Sequence, residues 1–203
     1  MSLSSEPVLR FVGGCLALDF VNVVPRRAEL SWDQLVAFLE SARIITAERG
    51  GELLALSRSD AHSAESLLGK ARRLGSALRM AFDALLRRQR ILREWVEPVN
   101  EILRVTEGHE ELVPSDRDWK IEFVARESGL EWLLAAVARS AADIIAEGPQ
   151  ARLRLCANPR CGLFFYDTSR THRRRWCSMT VCGNRSKVAA FARRHASAHR
   201  AKS

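Results

Sequence analysis

The chain has 203 residues, of which 47% are apolar and 28% charged, with a formal net charge of +8. That is enough apolar material for a globular core, which excludes wholesale disorder, and no apolar run approaches the ~20 residues of a membrane-spanning helix. The charge is segregated: from Gln150 onward thirteen Lys and Arg face a single acid, Asp167, whereas the first 149 residues carry 19 basic and 23 acidic side chains.

The first segment, MSLSSEPVLR, lacks a basic region followed by an apolar stretch, so no signal peptide is expected. Arg10 to Val24, RFVGGCLALDFVNVV, is β-rich and interrupted by Gly13-Gly14, and is expected to form a bent strand or hairpin. Cys15 reads there as a small buried hydrophobe. Asp19 and Asn22 stand in this apolar context, either lining a ligand pocket or satisfying a turn.

Ser31 and Gln34 have capping-box spacing. Leu35, Phe38, Leu39 and Ala42 follow at helical intervals, and Gly50-Gly51 is expected to end the segment. Ala61 to Arg93 is the longest helical pattern, with Leu67, Ala71, Leu74, Leu78, Phe82, Leu85 and Leu86 on one face; Gly75 weakens it as a single rod. Pro98 to Thr106 is expected to be a short helix with proline in its first turn. Asp118 to Arg126 alternates like a half-buried strand, and Leu130 to Glu147 returns to helical spacing. Glu147-Gly148-Pro149 is a helix stop. Trp32, Trp95, Trp119 and Trp132 sit at core-like positions.

The expected organisation is therefore α+β and mostly α: a helical unit with a small sheet over residues 1–148, then a small module over residues 149–203.

That module carries CANPRCGLFFYDTSRTHRRRWCSMTVCGNR. Cys156 and Cys161 enclose four residues, as do Cys177 and Cys182, with fifteen between the pairs. A turn with a thiol at each end brings two sulfurs to one ion, and two such turns complete a tetrahedron. ARLRL and LFFYD read as hairpin arms around the first turn. The second turn runs into GNRSKVAAFARRH, an amphipathic helix expected to place Val188, Phe191 and Ala192 inward. This is a treble-clef-like layout for a structural Zn²⁺. Four cysteines close the coordination shell, and Asp167 is the one carboxylate nearby, so a catalytic ion is not expected. Zinc with four thiolates carries a net charge of −2, which amides and some of the arginines must offset. A competing register, Cys177 and Cys182 with His195 and His199, fits the spacing of a two-cysteine, two-histidine finger. It places Ser186 and Ala192 where that finger needs apolar residues, and it strands Cys156 and Cys161 without a metal.

CANPRCGLFFYDTSR and RRRWCSMTVCGNRSKV resemble the CGNR zinc finger of bacterial proteins, with the signature at Cys182 to Arg185. GGCLALDFVN, Gly13 to Asn22, is similar to the start of the ABATE domain that precedes that finger, with Val23 where Thr is usual. The resemblance implies Cys156, Cys161, Cys177 and Cys182 as zinc ligands, and a regulator of transcription in the stress response. Arg173, Arg174, Arg175, Arg185, Lys187, Arg193 and Arg194 are then the candidate DNA contacts. RNA binding is the alternative, with Phe164, Phe165 and Tyr166 as a stacking platform. A third alternative is a purely structural zinc module beside a ligand-binding helical unit. The helical unit is expected to sense a small-molecule effector or to mediate homodimerisation. No nucleophile–base pair or phosphate loop is visible, so an enzyme is not expected. Reduced thiols in metal-type pairs suit the cytoplasm.

Overall fold

The computed structural model describes residues 11–24, 29–105, 108–114, 119–125, 129–189 and 191–192, with backbone alone over 109–125. Six helices surround one main core: α1 (Leu16–Val23), α2 (Trp32–Ser41), α3 (Ala47–Ser59), α4 (Ala61–Leu86), α5 (Arg93–Val105) and α6 (Ala135–Glu147). One antiparallel hairpin, β1 (Gly108–Pro114) with β2 (Trp119–Ala125), lies between α5 and α6, and a second, β3 (Leu153–Leu155) with β4 (Phe164–Tyr166), follows α6. The mostly helical α+β architecture matches the expectation.

The helix α4 is the central rod, packed by α1, α2, α3, α5, α6 and β3. Asp60 caps it, accepting from the Ser63 N–H at 3.1 Å, and Leu67, Ala71, Leu74, Leu78 and Phe82 form its buried stripe. Gly75 does not break it. A Cβ there would lie 2.7 Å from a Val24 methyl, so the glycine admits the end of α1 against the rod. Ser31 and Gln34 make the expected reciprocal cap of α2, at 3.1 and 3.2 Å.

Four expectations are corrected. Leu16–Val23, within the expected strand of Arg10 to Val24, is helical: Ala17, Leu18, Phe20 and Val21 are all buried. A helix covered on every side shows no period, so a short apolar run of this kind reads equally as strand or helix. Gly50 and Gly51 lie inside α3 rather than after α2. Gly50 is buried beside the flexible Glu40 side chain, whose carboxylate occupies the space of a Cβ. The helix containing Pro98 starts at Arg93. The hydrogen bond that Pro98 forfeits is the one to the carbonyl of exposed Glu94, in the first turn of the helix. The long helical pattern ends at Leu86, before Arg93. The strand expected at Asp118 to Arg126 is present as Trp119–Ala125, while its burial and that of Trp119 lie outside the described residues. Trp32 is buried; Trp95 and Trp132 are half-buried.

The β3–β4 hairpin is built on the helical core. Leu153 and Phe164 belong to the main core, and the Phe164 ring meets Phe82 edge-on at 6.1 Å. Phe165, on the other face of β4, belongs to a second cluster with Cys156, Cys177 and Cys182. The period-2 alternation of a strand thus makes β4 a wall between two cores. Truncating Phe164 to Ala should cost about 3–5 kcal/mol. Denaturation followed by helical circular dichroism and by metal release should shift together, because one side chain serves both halves.

Candidate metal centre

The four cysteines converge. Their Sγ atoms all lie within 4.8 Å of one another, the one such cluster among the described residues. Cys156, Cys177 and Cys182 are buried, and Cys161 is half-buried. Sγ separations are 3.6 Å for Cys161–Cys177 and 3.8 Å for Cys177–Cys182. Four sulfurs at the usual zinc–sulfur distance define a tetrahedron with an edge of ~3.8 Å. A disulfide needs ~2.05 Å, and all five cysteines are free thiols. The donor set and its dimensions fit a tetrahedral thiolate-bound metal. His195 and His199 of the competing register lie outside the described residues.

Local backbone chemistry builds each turn. In the first, Asn158 accepts from the Cys161 N–H through its carbonyl at 2.9 Å and from the Arg160 N–H through its side chain at 3.1 Å. Gly162 leaves the turn at φ +67°. In the second, the Ser178 carbonyl accepts from the N–H groups of Cys182 and Gly183, both at 3.0 Å. A Cβ at Gly183 would meet Met179 Sδ at 2.5 Å and Trp176 at 3.3 Å. Gly183, the Gly of the Cys-Gly-Asn-Arg signature, thus lets the Met179 and Trp176 side chains lie close against the turn. The turn passes directly into the final helix, residues 184–189.

Electrostatics make the cluster depend on a cation. Burial works against a Cys156 thiolate, but N–H groups of Cys177 and Asn158 outweigh it and hold this thiol below its ordinary value. Burial pushes Cys161 up to about 11. Burial and then the neighbouring Cys161 push Cys177 higher still. One site is thus prepared for negative charge, and a bound divalent ion supplies what the other thiols need to ionise.

Asp167, fully buried, ties the loop between the two turns. It accepts from the Ser169 N–H (3.1 Å) and hydroxyl (2.6 Å) and from the Arg174 N–H (3.0 Å). Burial opposes its charge, yet these donors and Arg154 prevail and keep its carboxyl below the usual range.

The predicted nucleic-acid residues divide. Arg173, Arg175, Arg185 and Lys187 are exposed. Arg174 is half-buried, and its guanidinium donates to the carbonyls of Trp176 (2.9 Å) and Cys177 while lying 4.9 Å over the Phe165 ring. Arg193 and Arg194 lie outside the described residues. Val188 and Phe191, expected inward, are 68% and 57% exposed. In the described part of this helix Val188, Phe191 and Ala192 are therefore mostly exposed rather than buried.

Asp19 and Asn22 are engaged within the fold. Asp19 accepts from the Gly13 N–H at 2.7 Å, and burial lifts its carboxyl above the ordinary range against the N–H groups of Gly13 and Val12. The Asn22 amide embraces Phe164: it accepts from the Phe164 N–H and donates to the Phe164 carbonyl, both at 2.9 Å. The Tyr166 N–H donates to the Gly13 carbonyl at 2.6 Å. A solvent-open cleft lies elsewhere, between α4 and α5, lined by Arg72, Arg73, Glu94, Glu97 and Glu101. Sequence reading missed two roles: the clamp of Asn22 across 142 positions, for which no local signal exists, and the hub at Asp167, which stood out as the lone acid.

Comparison with protein-family models gives two matches. One described as "Putative stress-induced transcription regulator", ABATE, matches residues 14–148. The CGNR zinc finger matches residues 152–195. No curated protein matched the chain. Replacing Cys177 by Ser should abolish the thiolate-to-metal charge-transfer absorption of the cobalt-loaded protein, and a strong chelator should do the same to the unaltered chain.

Proposed function

Because the chain belongs to the ABATE family and carries a CGNR zinc finger, we propose that it is a transcription regulator of the stress response that binds DNA through that finger. In this reading Cys156, Cys161, Cys177 and Cys182 hold one structural Zn²⁺ in a module over residues 149–203. The helical unit over residues 1–148 senses a small molecule or pairs with a second copy. The work is binding, not catalysis, and it takes place in the cytoplasm. Among the described residues no helix is long and apolar enough to cross a membrane.

The observation that carries the reading is the exposure of Arg173, Arg175, Arg185 and Lys187 on a module pinned by four cysteines. Arg193 and Arg194 remain candidate contacts by their place in the sequence. A fixed array of cations meets phosphates without ordering long side chains from a disordered segment, and it steers association with a polyanion. Phosphate contacts supply most of the affinity; sequence preference needs one or more of these arginines at a base edge.

The RNA alternative needs free aromatic faces. Phe164 and Phe165 are fully buried, and the Tyr166 hydroxyl donates to Glu147 at 2.5 Å. Two of the three residues of the stacking platform are therefore used in packing, and the third is half-buried, which weakens the stacking argument for RNA.

The test is a titration of a fluorescent random duplex at several salt concentrations. The expected plot of log affinity against log salt is steep, and the Arg173→Ala/Arg175→Ala double variant should flatten it by about 1.8, or ~0.9 per lost phosphate contact. A metal-loaded protein that binds no duplex even at low salt overturns the reading.

A further inference from the structure

The arginine loop carries its own scaffold. From Arg173 to Trp176 exposure alternates: Arg173 and Arg175 are exposed, Arg174 and Trp176 half-buried. Alternation of this kind puts every second side chain on one side of the backbone. Arg174 turns inward and is held three ways: its N–H on Asp167, its guanidinium on the carbonyls of Trp176 and Cys177, and its flat face on Phe165. Asp167 also draws in Arg154, whose Nε lies 3.9 Å from it and whose terminal nitrogen donates to the His172 carbonyl at 2.8 Å. The Arg175 carbonyl accepts from the Ala157 N–H at 2.8 Å, fastening the far end of the loop to the first turn. The exposed Arg175 guanidinium lies 5.3 Å over the Trp176 ring, within cation–π range.

Resting on the DNA-binding reading, we propose that Asp167 and Arg174 are positioning residues: together they lock the loop so that Arg173 and Arg175 face outward as a fixed pair for neighbouring phosphates of one strand. The triplet is thus one internal strut between two contacts, and the lone acid of the basic module serves as its anchor. A buried carboxylate inside a polyanion-binding module weakens binding by simple Coulomb repulsion; its place here is explained by the geometry it imposes.

Two substitutions separate geometry from charge. Arg174→Lys keeps the cation but loses the planar fork that reaches two carbonyls at once. Asp167→Asn removes a negative charge, so charge alone predicts tighter binding. The duplex titration is run with the wild type, the Arg173→Ala/Arg175→Ala double variant and these two, and cobalt absorption reports the metal site in each. Positioning predicts an unchanged cobalt spectrum, affinity about tenfold weaker for both substitutions, and a salt slope reduced by up to ~1.8 although Arg173 and Arg175 are intact. If Arg174→Lys retains wild-type affinity and slope, or Asp167→Asn binds more tightly, the positioning role is overturned while the DNA-binding reading stands. If Asp167→Asn alone disturbs the cobalt spectrum, Arg174→Lys decides by the same criteria. If both disturb it, the two residues maintain the metal centre rather than the loop, and the proposal falls. A wild type that does not bind at all overturns the functional reading instead.

Discussion

Four thiols within 4.8 Å of one another form an arrangement that an isolated chain does not favour, since ionised sulfurs repel and protonated ones bind little. The basic module rests on resolving that conflict with a cation. Its own apolar cluster consists of Phe165 and three of the cysteines, with a few half-buried neighbours around them. A core of that size does not offset the entropy of ordering the loops around it. Metal binding supplies the difference, and the N–H groups aimed at Cys156 show the backbone already arranged to receive it.

The strand β4 carries this local order into the rest of the molecule. One face gives Phe164 to the helical core and the next residue gives Phe165 to the metal cluster. The Asn22 amide completes the backbone pairing of Phe164 from α1, as a neighbouring strand does, and the Gly13 carbonyl takes the Tyr166 N–H. The glycine-rich start of the helical half is therefore bound to the centre of the finger. Three hydrogen bonds thus tie Gly13 and α1 to β4, the strand that leads into the loop between the two cysteine turns.

Sequence legibility follows the range of the interactions. The cysteine pairs, the capping box at Ser31 and the stripe of α4 are local patterns set by fixed spacing, and each was readable. The α1 segment was not, because burial on all sides erases the period that distinguishes helix from strand. Gly50 and Gly75 look like breaks and lie inside helices, and at Gly75 a Cβ would collide with the branched Val24 side chain. The pattern of the final helix is amphipathic, yet Val188 and Phe191 are mostly exposed, since a helical wheel does not say how deeply a face is covered. The joint role of Asp167 and Arg174 depends on where the loop turns back, and the double contact of Asn22 joins positions 142 apart; neither follows from composition or period.

Native-state hydrogen exchange with and without the metal tests most directly whether the ion, rather than apolar packing, orders the basic module on the helical core. The amides of Cys161, Cys182 and Gly183 close the two turns, that of Arg174 ties the loop to Asp167, and those of Phe164 and Tyr166 join the hairpin to α1 and Gly13. With the metal bound, all should be protected. After chelation, the turn and loop amides should exchange faster by orders of magnitude, while amides in the middle of α4 remain protected. Turn and loop amides that keep their protection without the metal would contradict the account.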